Sequence, residues 1–136
     1  MPTESANIQA KEAFAIADSF AQVSARILEL RLTRDLEPEQ ARALERSEDY
    51  LDAFVVLFRN HGIQLLGKGA AQAKAELTEA VEAARDALDD IAQIKRGLRI
   101  AAAVVTLAIA LQAGEAKGVV KAIKAVTDAA KEPATA

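Results

Sequence analysis

Carboxylates, one histidine and a few serines are the groups in this sequence that could carry chemistry. His61 is the only histidine, so it cannot supply the two Glu-x-x-His motifs that a helical di-iron site needs. Placed directly before Gly62, it fits the last turn of a helix, where its cationic form suits the dipole. Glu45, Glu48, Asp49 and Asp52 share one helical face, and Glu79, Glu82, Asp86 and Asp89 share another. Paired carboxylates do acid/base work only where a pocket drives their pKa values apart. Arg42, Arg46 and Arg85 are interleaved with them at helical spacing, so both stripes read as solvated ion pairs. Ser5, Ser19, Ser24 and Ser47 have no recognisable base beside them, and cysteine is absent. There is no EF-hand loop, no G-x-S-x-G, and too few glycines in "GKGAAQAK" for a phosphate cradle. The expectation is a protein with no catalytic, cofactor-binding or metal-binding residue, and not an enzyme.

The elements that carry these groups are helical. A chain of 136 residues is one domain, large enough for its own core. It is 51% hydrophobic and 27% charged, with only three prolines and six glycines. Ala, Leu, Glu, Lys, Arg and Gln dominate, a helix-forming vocabulary. Ile16, Phe20, Val23, Ile27 and Leu30 form a 4-3-4-3 seam on a first helix, which starts near Thr3 or Ser5 with Glu4 in its opening turn. Pro38 suits the first turn of a second helix, along which Leu44, Leu51, Val55 and Phe58 recur. Tyr50 edges the core beside Leu51. If these two helices fold back about residue 36, all four phenylalanines layer between them. Gly62, Gly67 and Gly69 each suit a left-handed position after the second helix. A third helix follows with Leu77, Val81, Ala84, Leu88 and Ile91 inside. Gly97, following Lys95 and Arg96, reads as its end.

The fold class expected is therefore all-α: an elongated up-down-up-down four-helix bundle with coiled-coil-like seams. Its helices would cover about 5–33, 38–61, 70–96 and 98–131, with a tail over 132–136. The alternative is a helical hairpin plus one very long helix over about 70–113, because the row Leu88, Ile91, Leu98, Ala102, Val105, Ile109 runs through Gly97 without a change of phase.

One segment stands apart. From Ile100 to Leu111 only Thr106 is polar. Fourteen residues to Ala113 reach about 21 Å, short of the roughly 30 Å of a bilayer core, so a membrane span is not expected. A helix apolar on every side still has to be covered on every side. "AFVVLF", Ala53 to Phe58, poses the same problem on the second helix. The surplus faces around Val55, Val56, Ile100, Val104, Val105 and Ile109 are candidates for a protein interface. A homo-oligomer, a dimer in the first instance, is expected to cover them, and another protein partner would serve as well. Ala110, Gly114, Gly118 and Ala122 form a small-residue ladder that admits close helix approach. The plainer reading is that Gly114 and Gly118 mark a turn.

The net charge of −3 and the lack of an aromatic-studded basic surface point away from nucleic acid. Locally the balance reverses: from Lys95 onward seven Lys or Arg face three acids. Lys117, Lys121, Lys124 and Lys131 share one face of the last helix and are candidates for contact with an anionic membrane surface. The N-terminus lacks a signal-peptide pattern, and the absence of cysteine fits a reducing compartment. A cytoplasmic protein is expected, and secretion without a signal is compatible with the same features. In composition alone the Ala-rich, Cys-free helices are similar to those of helical pore-forming toxins and granule-coating phasins; no motif is shared.

Overall fold

In the computed structural model, which describes residues 5–131, five helices alternate in direction along the chain: α1 (Ala10–Thr33), α2 (Pro38–His61), α3 (Ala70–Asp89), α4 (Ile94–Ala113) and α5 (Ala116–Lys131). A short antiparallel pair, β1 (Ser5–Ile8) with β2 (Ile63–Leu66), closes one end. The all-α class holds. The four-helix count does not, because the last two segments break at other places than Gly97.

Gly97 lies inside α4 and is buried. The break falls instead at residues 90–93, where Ile91 turns into the core and the Arg34 guanidinium donates to the Ile91 carbonyl. A methyl group on Gly97 would approach the Leu30 Cδ1 to 3.3 Å. Gly97 therefore stays in the helix because the end of α1 packs against it, at a propensity cost of about 1 kcal/mol. The second break is at Gly114, whose φ of 82° is left-handed and ends α4. Its N–H donates to the Ala110 carbonyl at 3.0 Å, and its carbonyl accepts from the Leu66 N–H at 2.7 Å. Neither the single helix over 98–131 nor the very long helix over 70–113 survives these two breaks.

Polar contacts fix how neighbours run. Ser24 donates to Asp52 at 2.8 Å, and Arg31 Nε to Glu48 at 2.7 Å, so α1 and α2 are antiparallel. Lys74–Glu12 at 3.3 Å and Arg26–Asp89 at 2.6 Å make α1 and α3 parallel. Arg96 caps the Ala130 carbonyl at 2.8 Å, which sets α4 antiparallel to α5. Around the bundle the order is α1, α2, α4, α5, α3, and α3 closes on α1. The core includes Phe20, Phe58, Ile27, Leu51, Leu77 and Leu107.

Ends of elements follow local chemistry. Pro38 occupies the first turn of α2, and the Glu37 N–H donates to Gln40 at 3.1 Å. His61 is the last residue of α2, with Gly62 after it at φ 73°. α1 starts at Ala10 rather than near Ser5, since Ser5 belongs to β1. The alternative cap at Thr3, Glu4, and the tail over 132–136 lie outside the described residues. Phe20 and Phe58 meet at 6.0 Å and Phe54 stacks on Phe58 at 5.8 Å, but Phe14 is 52% exposed and takes no part. The hairpin pairs residues whose numbers sum to 76–79 rather than 72. That offset, together with helical phase, carries Phe14 out of the layer.

Candidate interaction surface

Val55, Ile100 and Val104 are buried in this chain's own core, so the structure withdraws them as interface residues. Val55 falls on the Leu51–Phe58 stripe of α2, while Ile100 and Val104 fall on the stripe of α4 that ends at Leu111. Val105 is half-buried against the core. Ile109 is 49% exposed and Val56 is 57% exposed. The two do not share a surface. Helical phase places Val56 toward the α1 side of α2, with Asp52, and Ile109 on the α2 side of α4.

That second flank is a groove between two parallel helices. On α4 the row is Leu98, Ala102, Val105, Ile109 and Gln112; on α2 it is Tyr50, Phe54, Leu57 and His61. Both repeat at 4-3-4 spacing, the period of a helix-packing seam. Gln112, Leu57 and His61 together line a hollow of about 320 Å³ where the two helices end, which fixes α2 and α4 side by side with their C-termini together. Tyr50, Ala102 and Ile109 are exposed, whereas Phe54, Leu57, Leu98 and Val105 are half-buried. No charged residue occurs between Ile100 and Ala113. On this flank of α2 the stretch from Tyr50 to Asn60 is likewise uncharged, since Asp52 and Arg59 turn toward α1.

The small-residue ladder divides. Gly114 is a turn, with a notional Cβ 3.0 Å from the Gln64 carbonyl oxygen. Gly118 lies within α5, and nothing is within 4 Å of a Cβ built on it. Within this chain it is neither a turn nor a close approach. Lys117, Lys121, Lys124 and Lys131 are all exposed on the outer face of α5.

Part of each acidic stripe is absorbed by structure. Glu48 is 7% exposed and accepts two bonds from Arg31, a residue of α1 rather than the Arg42 or Arg46 of its own helix. The hydrogen bond to Glu48, then the charges of Glu48, Glu45 and Asp49, raise the Arg31 pKa above its ordinary range against the opposing effect of burial. Asp86 pairs with Arg85 at 3.0 Å, and Asp89 with Arg26. Among the described residues no group of three or more carboxylates and histidines is arranged to hold a metal ion. No helix of the described residues is long and apolar enough to cross a membrane.

Comparison with protein-family models, with curated proteins and with solved structures returns no match.

Tyr50, Leu57 and Leu98 are the groove residues that the sequence reading missed. Their signal was present: Leu98 opens the row that runs through Gly97, and Tyr50 and Leu57 are seven residues apart on the helix that carries Phe58.

Proposed function

We propose that this protein is a non-catalytic helical interaction protein that self-associates through the outer groove between α2 and α4. The observation that carries the reading is the pair of uncharged apolar rows, Tyr50–Phe54–Leu57 and Leu98–Ala102–Val105–Ile109, left partly open beside a filled core. A two-fold interface brings a surface onto itself, so charges near its axis would meet their own counterparts. A charge-free face avoids that cost.

The ends of the groove favour a second copy as the occupant. Arg46 and Lys95 stand at one end, and the C-termini of α2 and α4 converge at the other. An antiparallel two-fold centred on Val105 sets the cations of each copy over the partial negative charge of the other's helix ends. From Leu98 to Ile109 the row is about 16 Å long, and two helices about 10 Å apart present roughly 300 Å². That is under half of the roughly 800 Å² per partner of a standard interface, so a weak dimer is expected, with Kd of tens of micromolar. Light scattering of the native chain from about 1 to about 500 μM tests it, with mass rising toward twice 14.4 kDa as the expected result. A constant monomer mass across that range overturns it.

A second reading, attachment to an anionic membrane surface, is supported by the four exposed lysines on α5, none of which forms an ion pair among the described residues. Flotation with phosphatidylserine vesicles at low salt decides it; the apolar face of α5 is already buried, which favours the first reading.

A further inference from the structure

One titratable side chain stands on the otherwise uncharged α2–α4 groove. His61, the only histidine of the chain, is exposed and ends the α2 row one turn beyond Leu57. It also lines the hollow of about 320 Å³ at the end of the groove, beside Leu57, Phe58, Leu111 and Gln112. Among the described residues no other titratable side chain lines that hollow. On α2, Arg59 turns away to Asp18 of α1. Lys68, past the end of β2, and Glu115, just before α5, are exposed but stand outside the hollow. Within one chain, a proton on His61 is therefore met by the partial negative charge of the α2 and α4 C-termini.

A second copy changes those surroundings. α2 and α4 end level, at His61 and Ala113, so the antiparallel two-fold through Val105 passes between Ala53 and Phe54 of α2. His61 lies about 11 Å along α2 from that axis, and the residue equally far on the other side is Arg46. The two-fold thus sets Arg46 of each copy at the end of the groove that holds the other copy's His61. Arg46 is exposed and has no ion pair among the described residues. Its neighbour Glu45 turns to Arg31, and helical phase carries Asp49 off the row. Arg42, one turn further out, and Arg99 of α4 are exposed at this end and add cations rather than acids. Lys95 of the second copy falls past the end of α4, level with Glu115.

We infer that His61 is a pH switch of the groove dimer. Neutral, it leaves the helix ends to Arg46 of the second copy; protonated, it takes up their negative charge itself and repels that guanidinium. The inference rests on the groove as the self-association surface and adds its regulation. Histidine is the side chain that ordinarily changes charge between about pH 5 and 8. The dimer favours the neutral form, so association is strongest above that range and weakens as the pH falls through it. Two like-charge contacts at about 6 Å in near-aqueous surroundings weaken association about tenfold in total.

Sedimentation velocity on the full chain at about pH 8 and about pH 5.5, at one ionic strength of about 0.1 M, reads the dimer Kd directly. The native chain should dimerise about tenfold more weakly at the lower pH. His61→Gln, neutral throughout, should dimerise equally at both values. His61→Lys carries a fixed cation that also suits the end of α2, and should be weak at both. Arg46→Gln removes the opposing charge and should reduce the difference to about threefold or less. Circular dichroism of each variant at both values checks that the helices are intact. Equal Kd for the native chain at both values, or undiminished pH dependence in His61→Gln or Arg46→Gln, overturns the switch and leaves the groove dimer standing. A monomer at both values up to about 500 μM overturns the groove dimer, and the switch with it.

Discussion

Replacing Ile109 by glutamate separates folding from assembly. Ile109 is 49% exposed, so the substitution leaves the core intact and stability within about 0.5–1 kcal/mol. In an antiparallel two-fold centred on Val105, residue 109 of one copy faces residue 102 of the other. Half an isoleucine side chain withdrawn from water contributes about 1 kcal/mol, and the contact occurs twice. A carboxylate placed against Ala102 also loses hydration without gaining a partner, at about 1 kcal/mol or more per copy. The total of roughly 3–4 kcal/mol weakens association about 10²–10³-fold, moving a Kd of tens of micromolar into the millimolar range. Sedimentation velocity at about 300 μM reads this as a dimer for the native chain and a monomer for the variant. Ala102→Lys should also be monomeric. An equimolar mixture of Ile109→Glu and Ala102→Lys chains regains one ion pair and keeps one native contact, so it should form a heterodimer that 1 M salt weakens. A dimer that survives Ile109→Glu would refute the placement of the interface; a mixture that stays monomeric would refute the antiparallel register.

Gly118→Ala should raise stability by about 0.5–1 kcal/mol, because Gly118 is exposed in α5 with open space around a Cβ; a thermal melt should show Tm up by about 2–4 °C. Gly114→Ala should lower it by about 1–3 kcal/mol, since φ is 82° and the new methyl group meets the Gln64 carbonyl oxygen at 3.0 Å; urea unfolding checks it. Phe58→Ala removes the ring shared by Phe20 and Phe54 and should cost about 3–5 kcal/mol, with loss of the near-ultraviolet signal before the helical one.

The helix class was legible because Ile16, Phe20, Val23, Ile27 and Leu30 all end in the core, as their spacing requires. Pro38 and Gly62 marked the ends of α2 for local reasons, and local chemistry is what a sequence displays. The breaks at residues 90–93 and the burial of Gly97 depend on Leu30 and Arg34, which are about sixty residues away. The antiparallel pair of β1 and β2 joins four-residue segments from distant places, too short for either to show a strand period of its own. The same limit explains the candidate surface. Periodicity identified Val105 and Ile109 as surplus, but which α2 residues flank them is set by the order of the helices, and that order placed Val55 inside and Tyr50 outside.

Five helices rather than four follow from the apolar run in α4. In a four-helix bundle each helix leaves a face in water, and the run from Ile100 to Leu111 has no polar face to offer except Thr106. Folding the last segment back at Gly114 lays α5 along one flank of α4, capped where Arg96 reaches Ala130. α2 covers part of the other flank. The closure is incomplete: Ala102 and Ile109 remain exposed, and the described residues hold no sixth helix to set there. The open flank is thus what the five described helices leave uncovered, and its lack of charge is a consequence of the same run that demanded the fifth one. A lysine at Ala102, which is already exposed, should therefore be tolerated by the fold, whereas a lysine at Ala101, one residue away and fully buried, should not.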